Sequence, residues 1–580
     1  MSPSARPRFA ADRTARWSTF GHERVVLAVV HNITAATRLF DTLPVLATDP
    51  RIRIVFTRTG SSAFDRGTTE FLARRGVTEI SWGEACRNSF DLALSASYGG
   101  ELHRIDAPLF VIPHGMGYNK YLNKETKKQR NKETKKQRNN SVFGLSAEWL
   151  LHEGALVPTA IVLSHNEQRD RLISAVPAAA PRALVAGDIC FDQLSASLPL
   201  RASYRRAYGL PAHRKLLVIS STWGSNDALL ARHPKLPLRL AESLPADKFQ
   251  IVIAAHPNIA AEHSSWQLGE YLAAATRAGV HLLDDVDAWK AAVVAADLVL
   301  GDHGSIPFYA TALGVAPLLA TAPAHALDPA SPIAGFLATA PHLDLDGDLA
   351  AQIEAAITDH DPGRYTAHTA LTTSHPLAGA AILRRAMYET MDLPEPDAPA
   401  ELPAAPLPRA ALPRAQSHLV LVRSAEHGTA QVTRYPAERL SSGTDLPRGA
   451  HLAVGVNEPL HRWLRLADIM IGAPGPDTRR WITDTLHGLP GCRLAAAPVR
   501  PGEWLIGIDP SPMDTETPTP STEPDLLTVT GSDDACRLFA SITHHHLART
   551  ADPSTLAGTW TIECAGVSHR VSADPTSTTE

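Results

Sequence analysis

The feature that most constrains this chain is the short apolar run VVLAVV at Val25–Val30, followed by a polar turn and a helical stretch at Ala35–Leu46. A continuous, β-branched run of that length predicts a strand buried on both faces, as in a parallel sheet covered by helices. The pattern recurs. Ile52–Phe56, Leu92–Ala96, Leu109–Ile112, Ala160–Leu163 and Ala183–Val185 read as further strands with helical segments between them. The rhythm then restarts at Leu216–Ile219 and continues through Gln250–Ala254, His281–Leu283, Leu298–Leu300 and Ala316–Leu319. Such alternation implies right-handed βαβ crossovers, so the chain reads as two Rossmann-like α/β units in tandem. Open parallel sheets bind ligands beyond the carboxyl ends of their strands, which predicts a ligand cleft between the units.

At 580 residues the chain exceeds one core and calls for roughly three to four domains. Residues 1–22 are polar and arginine-rich, read as a flexible leader, and lack the apolar centre of a secretory signal. The first unit is assigned residues 23–199 and the second residues 200–391. Residues 392–417, rich in proline and alanine, read as a semi-rigid linker that builds no core. A small α+β domain is expected over 418–571, opening with HLVLVR, with Trp463, Trp481 and Trp504 in its core and a disordered loop at Pro510–Asp525. Residues 572–580 read as a tail. The octapeptide NKETKKQR stands twice in tandem at Asn123–Arg138, inside a basic insertion spanning 123–140. It reads as an exposed insertion or as an anion- or membrane-surface patch beside the cleft.

The formal net charge of −5 gives no global basic field, so nucleic acid is not an expected partner. The five scattered cysteines form no CxxC pair and no zinc spacing, which fits free thiols in a reducing, cytoplasmic compartment. No apolar run is long enough to span a bilayer, so any membrane contact is expected to be peripheral. The first turn, Val29-Val30-His31-Asn32-Ile33-Thr34, carries no GxGxxG, which argues against a nicotinamide cofactor. His31 and Asn32 would face the acceptor side of the cleft. His544-His545-His546 cannot all face one side of a helix and lack a carboxylate partner at ligand spacing, so no metal is expected.

Four segments sit where strands should end. Pro113-His114-Gly115-Met116-Gly117-Tyr118-Asn119-Lys120 offers a histidine able to act as a base near neutrality, glycines for close approach and a lysine for phosphate. Ser220-Ser221-Thr222-Trp223-Gly224 offers hydroxyls and N–H groups at a strand-to-helix turn. His256-Pro257-Asn258 holds a histidine at a fixed turn. Asp302-His303-Gly304-Ser305 precedes a helix whose first N–H groups and Ser305 hydroxyl would receive an anion. Taken singly, each is also readable as a helix cap.

Their order and spacing resemble the CDP-glycerol glycerophosphotransferases, the teichoic-acid primases and polymerases of bacterial cell walls. Pro113-His114-Gly115 with Lys120 is similar to that family's tryptophan-histidine-glycine turn, Ser221-Thr222-Trp223 to its proline-threonine-tryptophan turn, and His256-Pro257 to its histidine-proline pair. Asp302-His303-Gly304-Ser305 is similar to its aspartate-tyrosine-serine-serine turn, and Ala186–Asp192 to the stretch before its second half. The resemblance covers roughly residues 25–383. It implies a GT-B-like pair of units, a nucleotide-activated (CDP) donor and transfer of a phosphoalcohol group to an acceptor hydroxyl, lipid-linked or polymeric. By the same resemblance His114 is the acceptor-activating base, with Gly115 and Lys120 on the acceptor or phosphate side, where the glycine-free first turn independently puts His31 and Asn32. His256, Asp302, Ser221, Thr222, His303, Gly304 and Ser305 lie on the donor side, His256 and Asp302 within the catalytic set. No tightly bound metal or other cofactor is implied. The histidine-glycine form at His303-Gly304 is nearer to the nucleotide-sugar 2-epimerases, which keeps open an enzyme acting on a UDP- or GDP-sugar. A third reading is a GT-B-like binding scaffold without catalysis.

Overall fold

The computed structural model describes residue 9 and residues 19–62, 65–121, 141–224, 227–426, 428–441, 449–489, 491–510, 523–550 and 552–576. The tandem octapeptide and most of the leader lie outside these residues, as do the centre of the loop expected after Pro510 and the last four residues.

The first unit is a seven-stranded sheet, parallel throughout. Its strands are β1 (Arg24–Val30), β2 (Ile52–Arg58), β3 (Glu79–Ile80), β4 (Leu92–Ser95), β5 (Leu109–Val111), β6 (Ala160–Leu163) and β7 (Ala183–Val185), in the order 3-2-1-4-5-6-7. The strand order reverses about β1, which opens a crevice at its carboxyl end. The run read as a strand buried on both faces is so: Val26 to Val30 are fully enclosed. The helical stretch after it is broken in two, Ile33–Thr42 and Pro44–Ala47, because Pro44 cannot continue the first helix but suits the start of the second.

The second unit is a five-stranded parallel sheet: β8 (Lys215–Ser221), β9 (Phe249–Ala255), β10 (His281–Leu282), β11 (Leu298–Gly301) and β12 (Ala316–Leu319), in the order 10-9-8-11-12. Two Rossmann-like sheets in tandem, each with apolar layers on both faces, make the GT-B-like pair that the sequence predicts. One helix departs from the expected division. Gly379–Thr390, read as the end of the second unit, packs Ala380, Leu383, Met387 and Tyr388 into the core of the first. Tyr388 donates its hydroxyl to Asp49 at 2.7 Å, and the Arg24 guanidinium donates to the carbonyls of Met391 and Asp392.

The proline- and alanine-rich stretch is irregular, as read, but it is not a free spacer. Its carbonyls at Pro394, Pro403 and Ala405 accept from Arg51, Gln193 and Tyr204, and Ala405 and Leu412 enter the core beneath the second sheet. It is a strap laid across both units.

The C-terminal domain is a closed nine-stranded barrel: β13 (Ser417–Glu426), β14 (Thr429–Pro436), β15 (His451–Gly455), β16 (Ile469–Ile471), β17 (Leu494–Arg500), β18 (Glu503–Ile508), β19 (Asp525–Gly531), β20 (Gly558–Cys564) and β21 (Val567–Pro575), ordered 13-14-20-21-19-18-17-16-15. Strands β15, β16 and β17 run parallel, joined through the helices His461–Arg465 and Thr478–Gly488. The helix Asp533–Thr550 buries Ala535, Cys536 and Leu538 through Thr543, and its apolar residues share one core with the inward side chains of the strands. Trp504 sits in that core and Trp463 in the layer under the outer helices, against which Trp481 packs half-buried. The chain does not become a tail at residue 572. Strand β21 runs to Pro575 because it pairs along its end with Leu527–Gly531 of β19.

Candidate functional site

The carboxyl ends of the two parallel sheets face each other, and the strand-end loops meet there. In the second unit, Asp302 follows β11 and is completely buried. Its Oδ2 accepts from the Thr222 N–H and hydroxyl (both 2.8 Å) and from the Leu229 N–H (3.0 Å), while Oδ1 accepts from the Gly304 N–H (3.0 Å). Burial pushes this carboxyl above its usual range, against the pull of those donors and of Lys120. With both oxygens committed, Asp302 is a positioning residue that ties the loop after β8 to the loop after β11. This corrects its expected place in the catalytic set. Ser221 is also spent internally: its hydroxyl donates to the Thr222 carbonyl and accepts from the Leu230 N–H. Thr222 serves Asp302, so neither hydroxyl faces a donor.

Gly304 caps the helix Ser305–Ala312, and a Cβ at Gly304 would lie 2.9 Å from the Thr222 methyl. The tight approach of the two loops therefore excludes a larger residue. His303, 6% exposed, has a buried Nδ1 with no hydrogen-bond partner among the described residues. An orphaned buried nitrogen is costly unless a ligand satisfies it. Burial, then Lys120 and His325, push this imidazole down to about 3, so it is neutral at physiological pH.

His256 closes β9 and caps the helix Pro257–His263, its Nδ1 accepting from the Asn258 N–H at 3.1 Å. The proton of the neutral ring therefore belongs on Nε2, which donates to the Thr34 hydroxyl of the first unit at 3.3 Å. Burial, with Lys120 and His114 adding to it, lowers this histidine to about 3.

From the first unit, the loop after β5 brings His114 and Lys120. His114 is exposed, and its ring stands edge-on to Phe143 at 5.5 Å. Burial, then Lys120, Arg38 and His31, lower it to about 4, while a hydrogen bond to the Ala96 carbonyl opposes the shift. Gly115 lies against the second unit: a Cβ there would sit 2.8 Å from Ser305 Oγ, which accepts from the Met116 N–H at 3.0 Å. Ser305 thus holds the opposing loop. Lys120 bridges by its backbone to Leu327, and burial lowers its ammonium while Asp302 supports the charge. It has no ion pair within 4 Å among the described residues.

His31 and Asn32 stand farther from this junction in role. Asn32 Oδ1 caps the helix Ile33–Thr42 by accepting from Ala35, which commits the oxygen expected to face an acceptor. The His31 ring rests on Gly99, where a Cβ would lie 2.3 Å away, and shares its Nδ1 with Thr59 and Ser61 at 3.3 Å. Sequence reading missed Thr34, Arg38 and the Asp188–Tyr309 pair. Arg38 pairs with Asp41 at 2.6 Å, and its Nε is buried without a partner. Asp188, raised to about 6 by burial, accepts from the Tyr309 hydroxyl at 2.7 Å across the two units. Only the helical spacing of Thr34 and Arg38, one turn apart, marks that face in the sequence.

No family model and no curated protein matches the chain. Among solved structures it is similar to the wall teichoic acid polymerase TagF, with 11% identity, a TM-score of 0.44, and 64% of this chain and 89% of that one covered. It is also similar to the UDP-GlcNAc 2-epimerase from Neisseria meningitidis (15%, TM-score 0.36, 63% and 99%) and to a glycosyltransferase from Rickettsia africae (13%, TM-score 0.34, 64% and 98%).

Proposed function

We propose that the chain is a transferase that moves a phosphoalcohol, glycerophosphate-like group from a CDP-activated donor to an acceptor hydroxyl of a cell-envelope type polymer. The observation that carries the reading is Lys120. A half-buried ammonium with no ion pair among the described residues, beside His114, His256 and His303, each lowered first by burial and then by this charge, is a cation placed to receive an anion. Phosphates of a donor would satisfy it, supply the missing partner of His303 Nδ1, and return His114 toward neutrality by cancelling the lysine's field.

In the reaction, His114 takes the acceptor hydroxyl proton as that oxygen attacks the phosphorus carrying the glycerol. The bond from that phosphorus to the bridging oxygen breaks, and its electron pair leaves with the nucleoside monophosphate. Lys120 and the N–H groups at the start of Ser305–Ala312 receive the charge that builds there. Asp302 and Thr222 hold the donor wall rigid. The acceptor would be lipid-linked or polymeric, reached from the cytoplasmic face of a membrane through the basic insertion at 123–138. No helix among the described residues is long and apolar enough to cross a membrane.

A second reading, an enzyme of a UDP- or GDP-sugar, draws on His303, whose buried imidazole stands where the family resemblance has a tyrosine. Thermal unfolding with CDP-glycerol and with UDP-GlcNAc separates the two, since a ligand of the folded state raises the midpoint by mass action. A shift with CDP-glycerol alone is expected; a shift with UDP-GlcNAc alone transfers the case to the second reading. His114→Ala is expected to lower release of nucleotide from the bound donor by about 10²–10⁴-fold. Undiminished cellular function in that variant would leave only the scaffold reading.

A further inference from the structure

A cavity of about 350 Å³ lies away from the cleft, between the edge of the second unit and the mouth of the C-terminal barrel. That volume falls in the range of small-molecule sites. Its barrel side includes Gly455–Asn457 and Gly472–Pro474, the segments that leave β15 and β16 at their carboxyl ends. In a parallel βαβ arrangement this is the end at which ligands collect.

The charge lining the cavity is unbalanced. Four arginines, Arg214, Arg414, Arg434 and Arg537, meet two aspartates, Asp247 and Asp534. Asp247 is fully used by Arg434, through two hydrogen bonds, one of them 2.8 Å from Arg434 Nε. Asp534 stands 3.9 Å from Arg414. Arg214, 7% exposed, donates to the carbonyls of Phe249 and Ala246 and has no carboxylate within 4 Å among the described residues. Arg537 has none either among the described residues, and its guanidinium lies over the Trp504 ring at 5.5 Å. On the same helix face, Asp534, Arg537 and Ser541 follow at helical spacing. Ser541 is 2% exposed and lines the cavity. A cavity-lining hydroxyl beside surplus guanidinium charge is the arrangement of an anion site. Opposite these groups, Leu244, Ile251 and Val280 supply an apolar wall.

We propose that this cavity is a second ligand site, which binds a small organic phosphate: the phosphate on Arg214, Arg537 and Ser541, the organic body on the apolar wall. Two guanidinium groups without a carboxylate within 4 Å among the described residues, and a hydroxyl, suit a dianion with three acceptor oxygens better than a carboxylate with two. The positive field is visible in its neighbours. Burial together with Arg414 and Arg434 pushes Arg214 down to about 10, and burial together with Arg434, Arg214 and Arg414 pushes His418 down to about 3. The site is independent of the transferase reading, because none of its residues belongs to the cleft.

Calorimetric titration of the full chain with phenyl phosphate tests it, with inorganic phosphate and benzoate as the other arms. One saturable site for phenyl phosphate is expected, with benzoate at least about tenfold weaker and inorganic phosphate intermediate. Arg537→Gln, on an exposed helix face, and Ser541→Ala should each weaken phenyl phosphate by about tenfold, whereas Lys120→Gln should leave it unchanged. Unfolding midpoints of the two variants without ligand verify that they fold. No saturable heat, equal affinity for benzoate, or a loss with Lys120→Gln but not with Arg537→Gln would each overturn the proposal.

Discussion

The loop after β5 and the loop after β11 leave the carboxyl ends of two similar sheets, yet they are put to opposite uses. The second-unit loop is closed on itself. Asp302 takes four hydrogen bonds, Ser221 and Thr222 spend their hydroxyls internally, and Gly304 is packed against Thr222. The first-unit loop leaves its chemistry open, with His114 at solvent and Lys120 without an ion pair among the described residues. One wall is therefore held rigid, and the other is the one on which the proposed reaction would run. Electrostatic catalysis needs both, because preorganised dipoles stabilise charge only if they do not have to reorganise.

The largest test of this contrast is Asp302→Ala. It orphans four buried donors at about 1 kcal/mol or more each, so unfolding in urea should show a loss of about 4 kcal/mol or more. An unchanged midpoint, with turnover abolished, would make Asp302 a reacting group and break the comparison. Lys120→Gln comes next. Removing the cation should raise His114 and His256 from about 4 and about 3 toward their ordinary value, read by NMR titration of the ring protons. The sign for stability follows from linkage. These histidines are neutral in the fold but protonate near pH 6.5 when unfolded. Stability is full above that pH and falls as the solution is acidified toward pH 4 to 3. Lys120→Gln should soften that fall, and an identical acid profile would show that burial alone sets both values. The smallest effect belongs to Gly115→Ala. Its methyl displaces Ser305 Oγ from the Met116 N–H, at a cost of about 1 kcal/mol. In a Ser305→Ala background the cost should vanish, and persistence of the full penalty there would place the strain elsewhere.

The strands of both units were legible because a strand buried on both faces advertises itself as an unbroken apolar run; Val26–Val30 and Leu216–Ile219 are such runs. The barrel was not. Only the strands at HLVLVR, His451 and Trp504 stood out, since β14, β20 and β21 alternate exposed and buried residues at its wall and carry polar side chains. At the cleft, strand ends located His114, His256 and Asp302 but not what each does. Three of the four donors to Asp302 lie 73 or 80 residues away in sequence, and no local pattern encodes that they saturate it. Arg38 and Tyr309 were invisible for the same reason: a charged or aromatic residue on a helix looks alike whether it faces solvent or the opposing unit.

The helix Gly379–Thr390 has a consequence for how the chain is made. All strands of the first sheet have left the ribosome once Val185 has emerged, but the apolar patch that Leu383, Met387 and Tyr388 cover stays bare until the whole second unit has been synthesised. The two units are consecutive in sequence, yet the first is completed last. An N-terminal fragment ending near residue 199 would present that bare patch to its neighbours, the exposure that drives association of incomplete chains. Synthesis through Met391 is thus a checkpoint: the cleft cannot be assembled with a finished first wall and a missing second.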